Sequence, residues 1–127
     1  MKKFTSVLRI ALFILFGLFL LMGAYRHIAE PAFYTAFVPP FIPENLANIL
    51  AAVAEGVVGI ALLIPKTRKL GALGFTLMMI VFLPIHIWDL FRAKPAIGSF
   101  NAAVIRVAIQ LVVIYAGWWL WKNETNK

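Results

Sequence analysis

Apolar residues gather into four long runs along this chain, residues 7–25, 46–64, 70–91 and 102–121, and the shorter stretches between them hold most of the proline and charge. Each run is close to the ~20 residues that a helix needs to cross ~30 Å of hydrocarbon. A segment surrounded by lipid must satisfy its own backbone hydrogen bonds, so the runs predict helices. The expected fold is therefore all-α: an antiparallel four-helix transmembrane bundle forming a single domain over residues 1–127. The connections sharpen this picture. Residues 65–69 (PKTRK) are a tight turn between antiparallel neighbours, and residues 92–101 carry Pro95 and Gly98 and read as irregular.

The stretch 26–45 is the longest connection and is unusually aromatic, with Phe33, Tyr34, Phe37 and Phe41. Glu30-Pro31 suits a helix start with proline in first position, and Pro39-Pro40 stops it. This predicts a short interfacial element after the first helix, lying on the mouth of the bundle. A plain aromatic belt anchoring the first helix accounts for the same residues.

Polar residues inside the runs are few, and they fall on stripes. On the second run Asn48, Ala52, Glu55 and Gly59 share one helical face, small except at Asn48 and Glu55. Small residues allow close approach of membrane helices, so this face should meet other helices. Gly71 and Gly74 mark the same kind of contact on the third run. On the fourth, Ala103, Arg106, Gln110, Val113 and Gly117 share a stripe by the i, i+3, i+4 rule. Pro84 lacks the amide that would bond Ile80 and predicts a kink in the third run.

Composition agrees with a membrane protein: 63% of residues are hydrophobic and 13% charged, with mean hydropathy +0.92. The net charge of +7 invites a nucleic-acid reading, but its placement argues for topology instead. Lys2, Lys3 and Arg9 open the first run, Lys66, Arg68 and Lys69 fill the second connection, and Lys122 and Lys127 follow the last run. The other connections hold Arg26, Arg92 and Lys94 beside Glu30, Glu44 and Asp89. Lysine and arginine favour the cytoplasmic side, which predicts both termini in the cytoplasm and no nucleic-acid partner. The start Met1-Lys2-Lys3 has the flavour of a secretory leader. The run behind it is long, however, and closes on Met22-Gly23-Ala24, which reads as a retained first helix. The absence of cysteine excludes disulfides, thiol redox chemistry and cysteine-ligated clusters.

The candidate chemistry starts at Glu55, midway along the second run. A charge near the bilayer centre is costly, faces a bundle interior and marks a pairing or working site. At ~1.5 Å per residue, Gln110 lies at a matching depth, with Arg106 one turn above it. His86 and Asp89 sit at i, i+3 late in the third run, and His27 and Glu30 likewise end the first. These positions gather in one half of the bundle. In one arrangement Glu55 pairs with Arg106, Gln110 completes the hydrogen bonds, and the network sets helix register. In the other, Glu55, His86, Arg106, Gln110, His27 and Asp89 line a ligand pocket for a small polar or quinone-like head group. Neither His-x-x-acid pair follows the Glu-x-x-His order of dinuclear carboxylate bundles, and no metal is assigned. No nucleophile–base triad or phosphate loop is present, so the chain reads as no enzyme on its own.

Several motifs, taken in order, resemble one family. Pro31-x-x-Tyr34, Pro39-Pro40-x-x-Pro43, Glu55-Gly56-x-x-Gly59, Leu62-Leu63-x-Pro65-x-Thr67-Arg68, Pro84 and Arg106-x-x-x-Gln110 look like the DoxX-like family of small membrane proteins. The resemblance spans about residues 25–121. It implies a four-helix bundle of a bacterial plasma membrane, linked to quinone through a thiosulfate:quinone oxidoreductase subunit, with soluble oxidoreductases as partners of some relatives. Where relatives commonly carry asparagine after the third-run proline, this chain has His86. The expected function is an accessory or quinone-linked subunit of a membrane redox system. The alternatives are a small proton-coupled carrier using Glu55, or a membrane scaffold, either alone or as a homo-oligomer.

Overall fold

The computed structural model describes residues 2–125; Met1, Asn126 and Lys127, the last of which enters the charge asymmetry, lie outside them. Four α-helices and one 3-10 helix make up the chain: α1 (Lys2–Ala29), the 3-10 helix (Pro31–Phe37), α2 (Glu44–Leu63), α3 (Arg68–Leu90) and α4 (Phe100–Asn123). All four α-helices are long and apolar enough to cross a membrane. Their outward faces carry Ile14, Leu18, Val53, Ile60, Val81, Leu111 and other large apolar side chains about half or more exposed. Such a surface is tolerable in lipid and not in water. This is a multi-pass membrane protein with a four-helix antiparallel bundle, as the periodicity predicts.

The helices extend beyond the apolar runs, because polar residues such as Lys2, Lys3 and Lys122 continue a helix well where they emerge from lipid. The connection 64–67 is closed by Thr67, whose hydroxyl donates to the Ala61 carbonyl at 2.9 Å. Ser99 caps α4, accepting from the Ala102 amide at 3.1 Å, as serine does at helix starts.

α1 packs chiefly on α2 and α3 on α4, and the two hairpins meet along α2 and α3. Small residues set these contacts. A Cβ at Gly17 or Gly59 would stand 3.0 Å from the other's carbonyl oxygen, so α1 and α2 touch backbone to backbone there. A Cβ at Gly71 would meet the Leu62 amide nitrogen at 2.8 Å. Neither neighbour there is a flexible side chain, so Gly71→Ala should shift a helix and cost about 1–3 kcal/mol. A melt in detergent would measure it, and an unchanged midpoint would mean that the α2–α3 contact is slack.

The solid core lies toward the end holding Lys2, residues 64–67 and Glu124, here the basic end. Phe13, Phe16, Leu20, Leu62, Phe75 and Leu120 fill it. Phe16 of α1 stacks on Phe75 of α3, centroids 4.5 Å apart and planes within 9°. Glu124 is buried there, paired with Arg68 and with Arg9 at 3.7 Å. The opposite end is roofed by the 3-10 helix, which lies against α1 and α2. The expected interfacial element is thus present, with Pro31 at its start.

Candidate functional site

Beneath the roof the helices enclose a cavity of about 450 Å³, within the range that holds small-molecule ligands. Its walls are mainly apolar, with Phe19 and Leu20 from α1, Phe37 from the roof, Ala51 from α2 and Met79, Phe82 and Ile85 from α3. Polar groups come from both hairpins: His27, Asn48 and Glu55 on one side, His86, Arg106 and Gln110 on the other.

On the first side, the stripe predicted on α2 is buried, with Asn48 5% and Glu55 7% exposed. Its partner is α1. His27 Nε2 lies 2.9 Å from Glu55 Oε2, and His27 Nδ1 lies 2.7 Å from Asn48 Oδ1. Tyr34 of the roof stacks on the same imidazole, with centroids 3.7 Å apart and planes within 14°. Gly23 makes room for the carboxylate, because a Cβ there would overlap Glu55 Oε1.

The protons in this chain of contacts follow from donor and acceptor chemistry. An amide oxygen only accepts, so His27 Nδ1 carries a hydrogen when Asn48 presents Oδ1 to it. The 2.9 Å contact to Glu55 then needs one further proton, held either by Nε2 or by the carboxyl group. Without it, an imidazole lone pair would face a carboxylate. The pair is therefore neutral in total whichever atom holds the proton. Nitrogen NMR of His27 should show Nδ1 protonated, and a bare Nδ1 would overturn this assignment. Burial, followed by the nearby Glu55 charge, pushes the Tyr34 phenol above its ordinary value and keeps it a hydroxyl.

The second side is organised by Asp89, which is 1% exposed. Its Oδ1 accepts from the Ala96 amide at 2.7 Å and from Arg92 Nη1 at 3.2 Å. Its Oδ2 accepts from Arg106 Nη2 at 2.8 Å and from the Ile97 amide at 3.4 Å. One carboxylate thus ties the α3–α4 connection to two arginines, and both arginines reach the roof. Arg92 donates to the Ala36 carbonyl at 2.7 Å, and the Arg106 guanidinium lies over the Phe37 ring, 5.1 Å from its centroid. From α1, Arg26 lies over Phe33 at 4.5 Å. Such cation–π contacts gain strength where water is scarce.

These pairings correct the expected one. Glu55 meets neither Arg106 nor Gln110. Close approach of α1 at Gly17, Gly23 and Gly59 turns the carboxylate toward His27, while the long Arg106 side chain runs along α4 toward the roofed end and finds Asp89. Gln110 Nε2 instead donates to the Met79 carbonyl at 2.8 Å, beside the Ile80 carbonyl that Pro84 leaves without its helical donor. Of the six predicted site residues, Glu55, His86, Arg106, Gln110 and His27 line the cavity, and Asp89 stands behind Arg106. Glu30 is exposed and does not join His27. Among the described residues no three His, Cys, Asp or Glu side chains gather as a metal site. Asn48, Tyr34 and Arg92 were missed as partners. Asn48 stands seven residues before Glu55 and so on its face, which was the available signal; nothing local marks the others.

Residues 15–121 match the model of a family described as "Domain of unknown function (DUF8561)". The chain belongs to that family. No curated protein and no solved structure matches it. The matched segment contains every residue that lines the cavity.

Proposed function

We propose that this protein is a DoxX-like ligand-binding unit of a bacterial plasma membrane, which holds a membrane-soluble molecule with a quinone-like head group and serves a redox partner as an accessory subunit. One observation carries the reading: a mostly apolar cavity lined by His86 and Arg106, each of which keeps a buried nitrogen, Nδ1 and Nε, without a partner among the described residues. Buried polar groups are normally satisfied, so an unmet one calls for a partner. The apolar walls suit a ring, and the guanidinium suits a carbonyl oxygen. In the expected orientation both termini face the cytoplasm, because Lys2, Lys3, Arg9, Lys66, Arg68, Lys69 and Lys122 lie at the basic end, against Arg26, Arg92, Lys94 and Arg106 toward the roofed one.

Two measurements test this. A short-chain quinone titrated into protein in nanodiscs should bind saturably, and Gln110→Leu, which removes a polar group from the wall, should weaken it severalfold. No saturable binding would remove the quinone assignment. A cysteine at Thr67 should resist an impermeant thiol reagent added outside intact cells while one at Thr35 reacts; the reverse pattern would invert the topology. The proton shared by His27 and Glu55 favours a second reading, a proton-coupled carrier. Uptake driven by a pH gradient in proteoliposomes, absent in Glu55→Gln, would select it.

A further inference from the structure

The cavity is reached from one particular side. The hairpins α1–α2 and α3–α4 meet closely along α2 and α3, which leaves the seam between α1 and α4. At the basic end that seam is shut by Arg9 of α1 and Glu124, the residue that ends α4, 3.7 Å apart. Toward the roofed end, Phe19 and Met22 of α1 line the cavity while remaining 64% and 66% exposed. At these two positions the wall between the cavity and the outside is therefore one side chain thick. Both residues lie within the apolar run of α1, the part of the helix long and apolar enough to cross a membrane.

The charges around the cavity are also unequal. Arg92 and Arg106 share the single carboxylate of Asp89. Arg26, on the cavity wall, rests on the Phe33 ring and has no carboxylate partner among the described residues. His27 and Glu55, with their shared proton, add no net charge. With Lys94 and the exposed Glu30 and Glu44 included, Arg26, Arg92, Lys94 and Arg106 stand against Glu30, Glu44 and Asp89, so the roofed end carries one positive charge in excess. Arg106 and His86 both line this space, and each keeps a buried nitrogen, Nε and Nδ1, without a partner among the described residues. Excess charge in a poorly hydrated site is costly until an opposite charge joins it, and a charge-assisted hydrogen bond to a guanidinium is among the stronger ones available.

We propose that the cavity takes a single-chain amphipathic anion, a carboxylate or ionised phenol on an apolar body, which arrives from the bilayer through the α1–α4 seam and sets its head against Arg106 and His86. This rests on the reading of the cavity as a ligand site and not on any ring chemistry of the ligand.

The test uses the full chain in phosphatidylcholine nanodiscs with a terminally trifluorinated dodecanoate, followed by fluorine NMR. A saturable bound resonance is expected, displaced by plain dodecanoate and at least about tenfold less well by dodecyltrimethylammonium, a difference equal to one charge-assisted contact. Arg106→Gln and His86→Leu should each weaken dodecanoate by about tenfold. His86→Leu breaks no ion pair, so it carries the test if Arg106→Gln fails to fold. Met22→Trp, at the seam, should slow binding and release together and leave the affinity nearly unchanged. Equal displacement by the ammonium amphiphile, or undiminished binding in folded His86→Leu, would overturn the head-group assignment alone. Unaltered rates in Met22→Trp would overturn the route. If no amphiphile, anionic or neutral, gives a saturable signal, the ligand-site reading falls with the proposal.

Discussion

Asp89→Leu should destabilise the protein in detergent by about 3–5 kcal/mol, the cost of removing one member of a buried charged set and leaving the others unpaired. The change strips the acceptor from two arginines and two backbone amides at once. Arg106→Leu should also destabilise, since it leaves the Asp89 carboxylate without its closer guanidinium. The double change should cost clearly less than the sum of the two, because replacing a buried pair with apolar groups of similar size can approach neutrality. Chemical unfolding of the four proteins in one detergent gives the cycle. Additive losses would mean that Asp89 acts only through the α3–α4 connection. Loosening of the roof is the second expected consequence, because Arg92 and Arg106 hold it at Ala36 and Phe37. Amides of residues 31–37 should then exchange faster in Asp89→Leu than in the native protein, whereas unaltered exchange would show the roof to be held by α1 and α2 alone.

His27→Phe should cost about 2–4 kcal/mol, although the new ring can keep the stack on Tyr34 and nearly the same volume. Two buried groups, the Asn48 amide oxygen and the Glu55 carboxyl, lose their partner in one step, and an unmet buried polar group costs about 1–3 kcal/mol. Glu55→Gln should be much milder, since its amide can still donate to a neutral imidazole that keeps its hydrogen on Nδ1. This ordering, with the imidazole worth more than the carboxylate's charge, separates a hydrogen-bonded chain from an ion pair. If Glu55→Gln is as harmful as His27→Phe, the contact depends on a full negative charge on Glu55, and the shared-proton account fails. The same cycle discriminates the observed partner from the one expected from depth. His27 and Glu55 should couple, and Arg106 and Glu55 should not.

The helices, their antiparallel order and the inward faces of α2 and α4 were legible because each depends on local pattern. Twenty apolar residues in lipid have almost no choice but a helix. A stripe such as Asn48, Ala52, Glu55 and Gly59 points inward whatever helix it meets. Pro31 and Pro39-Pro40 likewise bracketed the 3-10 roof, since proline acts on the backbone beside it. That Glu55, His86, Arg106 and Gln110 lie toward one end was legible from depth alone.

Which polar residues touch was not. Depth places Glu55 level with Gln110 and near Arg106, but depth is one coordinate of three. The azimuth between helices is set by packing, by Gly17 against Gly59 and by the space Gly23 leaves for a carboxylate, and that turns Glu55 toward α1. A long cationic side chain adds further freedom, because Arg106 can run toward either end of its helix, and only the position of Asp89 beside the α3–α4 connection decides which. Glu124 shows the same limit: as the one acid near the last run it looks like a tail residue, and only when α1, α3 and α4 converge do Arg9 and Arg68 close on it. Sequence by itself determined the membrane, the helices and the faces they bury, because these follow from hydrophobicity and backbone geometry along one dimension. The pairings among the cavity's polar residues came from tertiary structure alone, because they depend on rotations and side-chain reach that no linear pattern encodes.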